Sequence, residues 1–214
     1  MMPQILKDIV KYLKKNPVNI SGKIEGEGRV ASLIDEGSIK KALFESPFKE
    51  RILDEKARRF GDMIVVDYDD KTRYVVNIKT SSGSTDNCFS KVGFVYMFTN
   101  LSETSLLLKP MNFIEMDQLI KEYKADIRNK DYYYLCIDKK DSSKVMMRGA
   151  KQIKNWVVNI NPGNILQVNW KKEKECDPVN RTWDEAYDLL IKNGVAKSLM
   201  DFWNNVPEEW KSSN

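Results

Sequence analysis

The stretch GDMIVVDYDDKTRYVVNIKTS, Gly61 to Ser81, sets two β-branched apolar runs around a short acidic turn. Runs this short, bounded by turn-forming residues, read as two antiparallel strands of a β-hairpin rather than as helices. Taking Asp70 and Lys71 as a two-residue turn pairs Asp69 with Thr72, Ile64 with Asn77 and Asp62 with Lys79. Period-two alternation then directs Asp62, Asn77 and Lys79 to one face and Asp67 to the other.

A hairpin alone is not a fold, and the rest of the chain supplies its cover. PQILKDIVKYLKKN, residues 3–16, places Ile5, Leu6, Ile9, Val10 and Leu13 at helical spacing with lysines opposite, which predicts an amphipathic helix presenting a core or dimer face. Residues 20–34 carry three glycines and suggest a small hairpin or an irregular arm. EGSIKKALFESPFKERILDEKARRFG is predicted helical on both sides of Pro47, with Ser46 capping the second helix and Gly61 stopping it. A Ser/Gly/Thr-rich loop, TSSGSTDN, follows the hairpin, and a helix is predicted around residues 112–123.

YYYLCID at 132–138 reads as a buried strand; SKVMMRGA, NWVVNI and NILQVNW read as further strands. The C-terminal part returns to helices, with Thr182 and Glu185 forming a capping box. With 214 residues and 42% hydrophobic side chains, the chain is long enough for a single domain with a real core. The fold class expected is α/β, a central mixed β-sheet flanked by helices.

Composition removes several chemistries. There is no histidine, which excludes a Ser-His-Asp triad, a histidine general base and a histidine-ligated metal. Cys88, Cys136 and Cys176 are far apart and form no CxxC pair, so neither zinc nor a disulfide framework is indicated. Net charge is +4, which leaves a nucleic-acid partner undecided. No apolar run is long enough for a membrane span, and Lys7, Asp8 and Lys11 interrupt any signal-peptide core, so a cytoplasmic protein with no membrane partner is expected. Chemistry here rests on carboxylates, lysine and a hard metal.

An acid entering one strand and an x-Lys pair leaving the next suits metal-dependent phosphodiester hydrolysis. The acid holds Mg²⁺, and the lysine orients water and stabilises developing negative charge. The plainer alternative is an amphipathic hairpin with solvated charges. The order Glu45, Asp62, Asn77-x-Lys79 resembles the type II restriction endonucleases of the PD-(D/E)xK superfamily, specifically the EcoRV-like branch, in which a helix glutamate precedes PD and then DIKTT. KKALFESPFKERILDEKARRFG matches the spacing of the glutamate helix, NIKTS matches DIKTT, and NPGNI lies where a Gly/Asn-rich recognition loop is expected. NINPGNILQVN followed by RTWDEA is also similar to SwaI-like cutters of AT-rich DNA.

The resemblance implies a restriction-endonuclease-like core and a homodimer that hydrolyses double-stranded DNA at a short palindromic, AT-rich site with Mg²⁺. It implies an N-terminal dimerisation helix (about 3–16), a catalytic core (about 36–138), a C-terminal DNA-recognition region (about 144–214) and a cognate DNA methyltransferase in the same host. Glu45, Asp62, Asn77 and Lys79 become the expected catalytic residues, with Asp62, Asn77 and Glu45 on the metal. The chain departs from the pattern at Gly61, which replaces the proline, and at Asn77, which replaces the second acid. A neutral amide can ligate Mg²⁺ but cannot offset its charge. Glu45 is the first candidate to compensate and Asp86 the second.

Ser81, Ser82, Ser84, Thr85, Asp86, Asn87 and Lys91 are expected along the DNA, the hydroxyls and the lysine toward phosphates. Asn161, Asn164, Gln167 and Asn169 are candidates for adenine contacts, although loop asparagines more often serve turn geometry. Two further readings stand beside the nuclease: a DNA-binding module of the same fold that has lost catalysis through Asn77, and a small α/β interaction protein with neither DNA nor metal affinity.

Overall fold

The computed structural model describes residues 2–20, 28–54, 60–83, 85–106, 111–128, 130–159 and 165–211. Its centre is a five-stranded sheet of β1 (Ile52–Asp54), β2 (Met63–Val66), β3 (Arg73–Ser81), β5 (Tyr132–Asp138) and β6 (Val145–Gly149), in the order β1-β2-β3-β5-β6. The β3–β5 pair is parallel and the other pairs antiparallel, so the sheet is mixed. The crossover from β3 to β5 contains β4 (Thr85–Asn87), α3 (Lys91–Phe98) and α4 (Phe113–Tyr123).

Helices cover both faces, and the continuous apolar run of β5 follows from that. Tyr132, Tyr134 and Cys136 enter a core with α3, Trp170 and Trp183, while Tyr133, Leu135 and Ile137 enter a second core with α1 (Gln4–Lys15) and α2 (Gly28–Phe44). Ile5, Leu6, Ile9 and Leu13 are all fully buried, so the apolar face of α1 is spent inside its own chain, with α1 against β6. Of the helix expected at a dimer interface, the outward side carries lysines instead.

A second, three-stranded antiparallel sheet has the order β4-β8-β7, with β7 (Trp156–Val158) and β8 (Leu166–Asn169). It is followed by α5 (Trp170–Glu173), α6 (Trp183–Tyr187), a π-helical segment (Asp188–Ala196), α7 (Lys197–Asn204) and α8 (Glu208–Lys211). The capping boxes at Asn112/Glu115 and Thr182/Glu185 are both formed. No helix among the described residues is long and apolar enough to cross a membrane.

Three local expectations are corrected. After Phe44 there is no second helix at Pro47: the Ser46 hydroxyl donates to Leu43 O and accepts from Phe48 N, a 3₁₀ turn spans Lys49–Arg51, and the chain enters edge strand β1. Pairing of Ile52–Asp54 with β2 outweighs the local helical pattern. Residues 28–34, expected in an arm, belong to α2, and 21–27 lie outside the described residues. Gly61 is not a helix stop: it packs so closely under the sheet that a Cβ there would stand 2.4 Å from Val75 Cγ1.

The hairpin forms with a different register. Met63 pairs with Val76 and Val66 with Arg73, which leaves the four-residue loop 68–71. The Asp69 carboxylate causes it, accepting from Lys71 N, Thr72 N and Thr72 Oγ1 while Asp70 adopts φ 59°. Relative to the expected pairing the strands slide by two residues, so Asp62 comes beside Asn77 rather than Lys79. Because the slip is even, the faces are unchanged. Asp67 does lie on the opposite face, where it accepts from Tyr74 Oη at 2.5 Å.

Candidate functional site

The site is built at the end of the sheet where β2 begins and β3 ends. Asp62 N donates to Val76 O at 2.9 Å, which locks the entry to β2. Its carboxylate Oδ2 accepts from Ile78 N at 2.5 Å. Burial, and after it the charge of Glu36, pushes the Asp62 carboxyl up to about 6, against the opposing pull of the Ile78 N–H, Lys79 and Lys40. A buried acid kept reluctant to ionise is a group that a cation would stabilise strongly.

Asn77 has its amide oxygen Oδ1 buried with no hydrogen-bond partner. Its side chain bonds the Tyr132 hydroxyl, which also donates to Phe60 O. An orphan buried oxygen is costly unless something fills its lone pairs. Here the orphan adjoins the strained Asp62 carboxylate. Two residues on, Lys79 is half-buried and within charge reach of Asp62, Asp86 and Cys88.

The acid that α2 offers to this site is Glu36. Ile39 and Leu43 phase the helix onto the sheet together with buried Asp35, which accepts from Thr80 Oγ1 at 3.2 Å and pairs with Lys139 at 3.6 Å. That phase sets Glu36 beside Asp62 electrostatically, and Lys40 bridges Glu36 at 2.8 Å and Asp54 at 3.1 Å. Glu45 is exposed in the turn after α2. Nine residues at about 100° each place it on the far side of the helix from Glu36. The phase of Ile39 and Leu43 was the sequence signal that could have singled out Glu36.

The donors Asp62 and Asn77 are all oxygen, which fits a hard divalent cation such as Mg²⁺. The orphan Asn77 Oδ1 is the observation that carries this fit. Among the described residues no three Cys, Asp or Glu side chains converge as a ready metal cluster. Glu36 supplies further negative charge nearby, in the role expected of Glu45.

The residues expected along DNA are dispersed. Ser82 and Thr85 are exposed. Ser81 is 1% exposed and turned inward, its Oγ accepting from Gly83 N. Lys91 donates to Met111 O at 2.7 Å and lies over the Phe113 ring, so its charge is engaged within the fold. Asn169 caps α5 by accepting from Lys172 N, and Gln167 donates to Asn87 Oδ1 across β4 and β8. Ser84, Asn161 and Asn164 lie outside the described residues. Asp86, on β4, is drawn into the site beside Lys79.

Neither the protein-family models nor the curated proteins yield a match to this sequence. The argument for function therefore rests on the site.

Proposed function

We propose that the chain is a metal-dependent nuclease acting on double-stranded DNA, with a restriction-endonuclease-like core of the PD-(D/E)xK kind and a dimeric assembly suited to a short palindrome. The observation that carries this reading is the pairing of Asp62 with Asn77, whose orphan oxygen is buried beside a carboxyl held near pH 6, with Lys79 next on the same face. Asp62 and Asn77 hold Mg²⁺ in this reading. The bound cation supplies polarisation of the scissile phosphate and a more acidic water. Lys79 orients that water and stabilises charge on the phosphate oxygens. Glu36 adds negative charge behind Asp62, and Ile78 N–H fixes the carboxylate's direction.

A second reading keeps DNA binding and removes catalysis. Asn77 favours it, because an amide leaves the site one negative charge short. Two measurements separate the possibilities. Duplex pools in Ca²⁺ at low salt should shift with a steep salt dependence, and mixed plasmid DNA in Mg²⁺ should give fragments whose sequenced ends share one motif. Binding without cleavage selects the second reading; neither binding nor cleavage removes both.

A further inference from the structure

Lys79 stands between aspartates from two different sheets. Asp62, at the entry to β2, and Asp86, on β4, each have Lys79 as their strongest attractive charge partner. Cys88, just beyond β4, also feels the Lys79 charge, so the ammonium is within reach of the small sheet as well as the large one.

The chain reaches this arrangement through a tight reversal after β3. Gly83 adopts φ 99° and its N–H donates to Ser81 Oγ at 3.1 Å. Ser81 in turn hydrogen-bonds the Asp86 carboxylate, which explains why this serine is buried. The oxygen Oδ2 of Asp86 is buried with no hydrogen-bond partner. Burial raises the Asp86 carboxyl above its ordinary range, and Lys79, Lys139 and Lys174 oppose that. Lys174 already pairs with Asp138 at 2.7 Å and Lys139 with Asp35 at 3.6 Å. Lys79 is the first of the three in its effect on Asp86.

We propose that Asp86 is the positioning residue of Lys79, supplying from β4 the negative charge that Asn77 does not supply from β3. The inference rests on the nuclease reading for its catalytic consequence. A cation engaged by Asp62 competes with Lys79 for that carboxylate, and an amide at Asn77 gives the ammonium nothing in return. Asp86 holds it in place from the other side. The charged and titratable groups around the pair are Asp62 on β2, Glu36 and Lys40 on α2, Cys88 after β4, Cys136 on β5, Lys139 after β5 and Lys174 after α5.

A double-mutant cycle tests the pair without any activity. Lys79→Met, Asp86→Asn and the double variant are unfolded in urea without metal, and the expected coupling is on the order of tenfold in the unfolding constant. Additive effects overturn the proposal; if Asp86→Asn does not fold, Asp86→Ser takes its place in the cycle. Kinetics follow in the chain as written and in an Asn77→Asp background, by single-turnover cleavage at saturating protein. Asp86→Asn should lower the rate on the order of tenfold with duplex affinity in Ca²⁺ changed less than about twofold, and Asp86→Glu should recover most of the loss. A rate unmoved by Asp86→Asn contradicts the positioning role. Coupling with no cleavage by any variant upholds the pair and sinks the nuclease reading alone.

Discussion

Asp62 and Asn77 are neighbours across the β2–β3 ladder, one carboxylate held by Ile78 N–H and one amide oxygen buried without a partner. Each carries a cost that a divalent cation would relieve, which makes the pair a site rather than two solvated hairpin residues.

The Asp62 carboxyl gives a pH-dependent prediction. Its folded value of about 6 lies above the ordinary 3.8, so the native state binds more protons than the unfolded state between these values. Stability from this group is therefore greatest at acid pH and falls as pH rises through about 4 to 6. Asp62→Asn should stabilise the metal-free protein by on the order of 2–3 kcal/mol at pH 8, with little gain at pH 4. Urea unfolding at the two pH values measures it, and an equal effect at both would show that Asp62 is not strained.

Glu36 and Glu45 are expected to separate sharply. Glu36→Gln removes the like charge behind Asp62 and should weaken metal-dependent cleavage on the order of tenfold or more, whereas Glu45→Gln, in an exposed turn, should change it less than about twofold. Single-turnover rates over a Mg²⁺ titration decide this; the reverse order would return the role to Glu45.

Gly149 offers a test of the scaffold away from the site. A Cβ there would fall 2.1 Å from Asp131 Oδ2, and Asp131 is buried, accepting from Tyr132 N and Lys151 N. Gly149→Ala should destabilise by about 2 kcal/mol or more. Thermal or urea unfolding close to that of the unsubstituted chain would contradict this packing.

Much of the fold was legible because its signals are local. The α1 periodicity, the buried β5 run and the Thr182/Glu185 capping box depend on neighbours within one element. The hairpin register was not, because one side chain, Asp69, organises a loop of four residues that no strand pattern reveals. The polar segment Thr85–Asn87 gives no strand signal, yet it pairs through its backbone with β8 and carries Asp86 to Lys79. Asp62, Asn77 and Lys79 share a face as their spacing implied, whereas choosing Glu36 over Glu45 required the phase of α2 on the sheet.

The most direct test of the central claim is single-turnover cleavage in Mg²⁺, at saturating protein, by the chain as written and by Asn77→Asp, with duplex affinity measured in Ca²⁺. The account predicts that Asn77→Asp cleaves on the order of 10–100-fold faster at limiting Mg²⁺ while duplex affinity stays within about twofold. No cleavage and no duplex binding by either protein would contradict it.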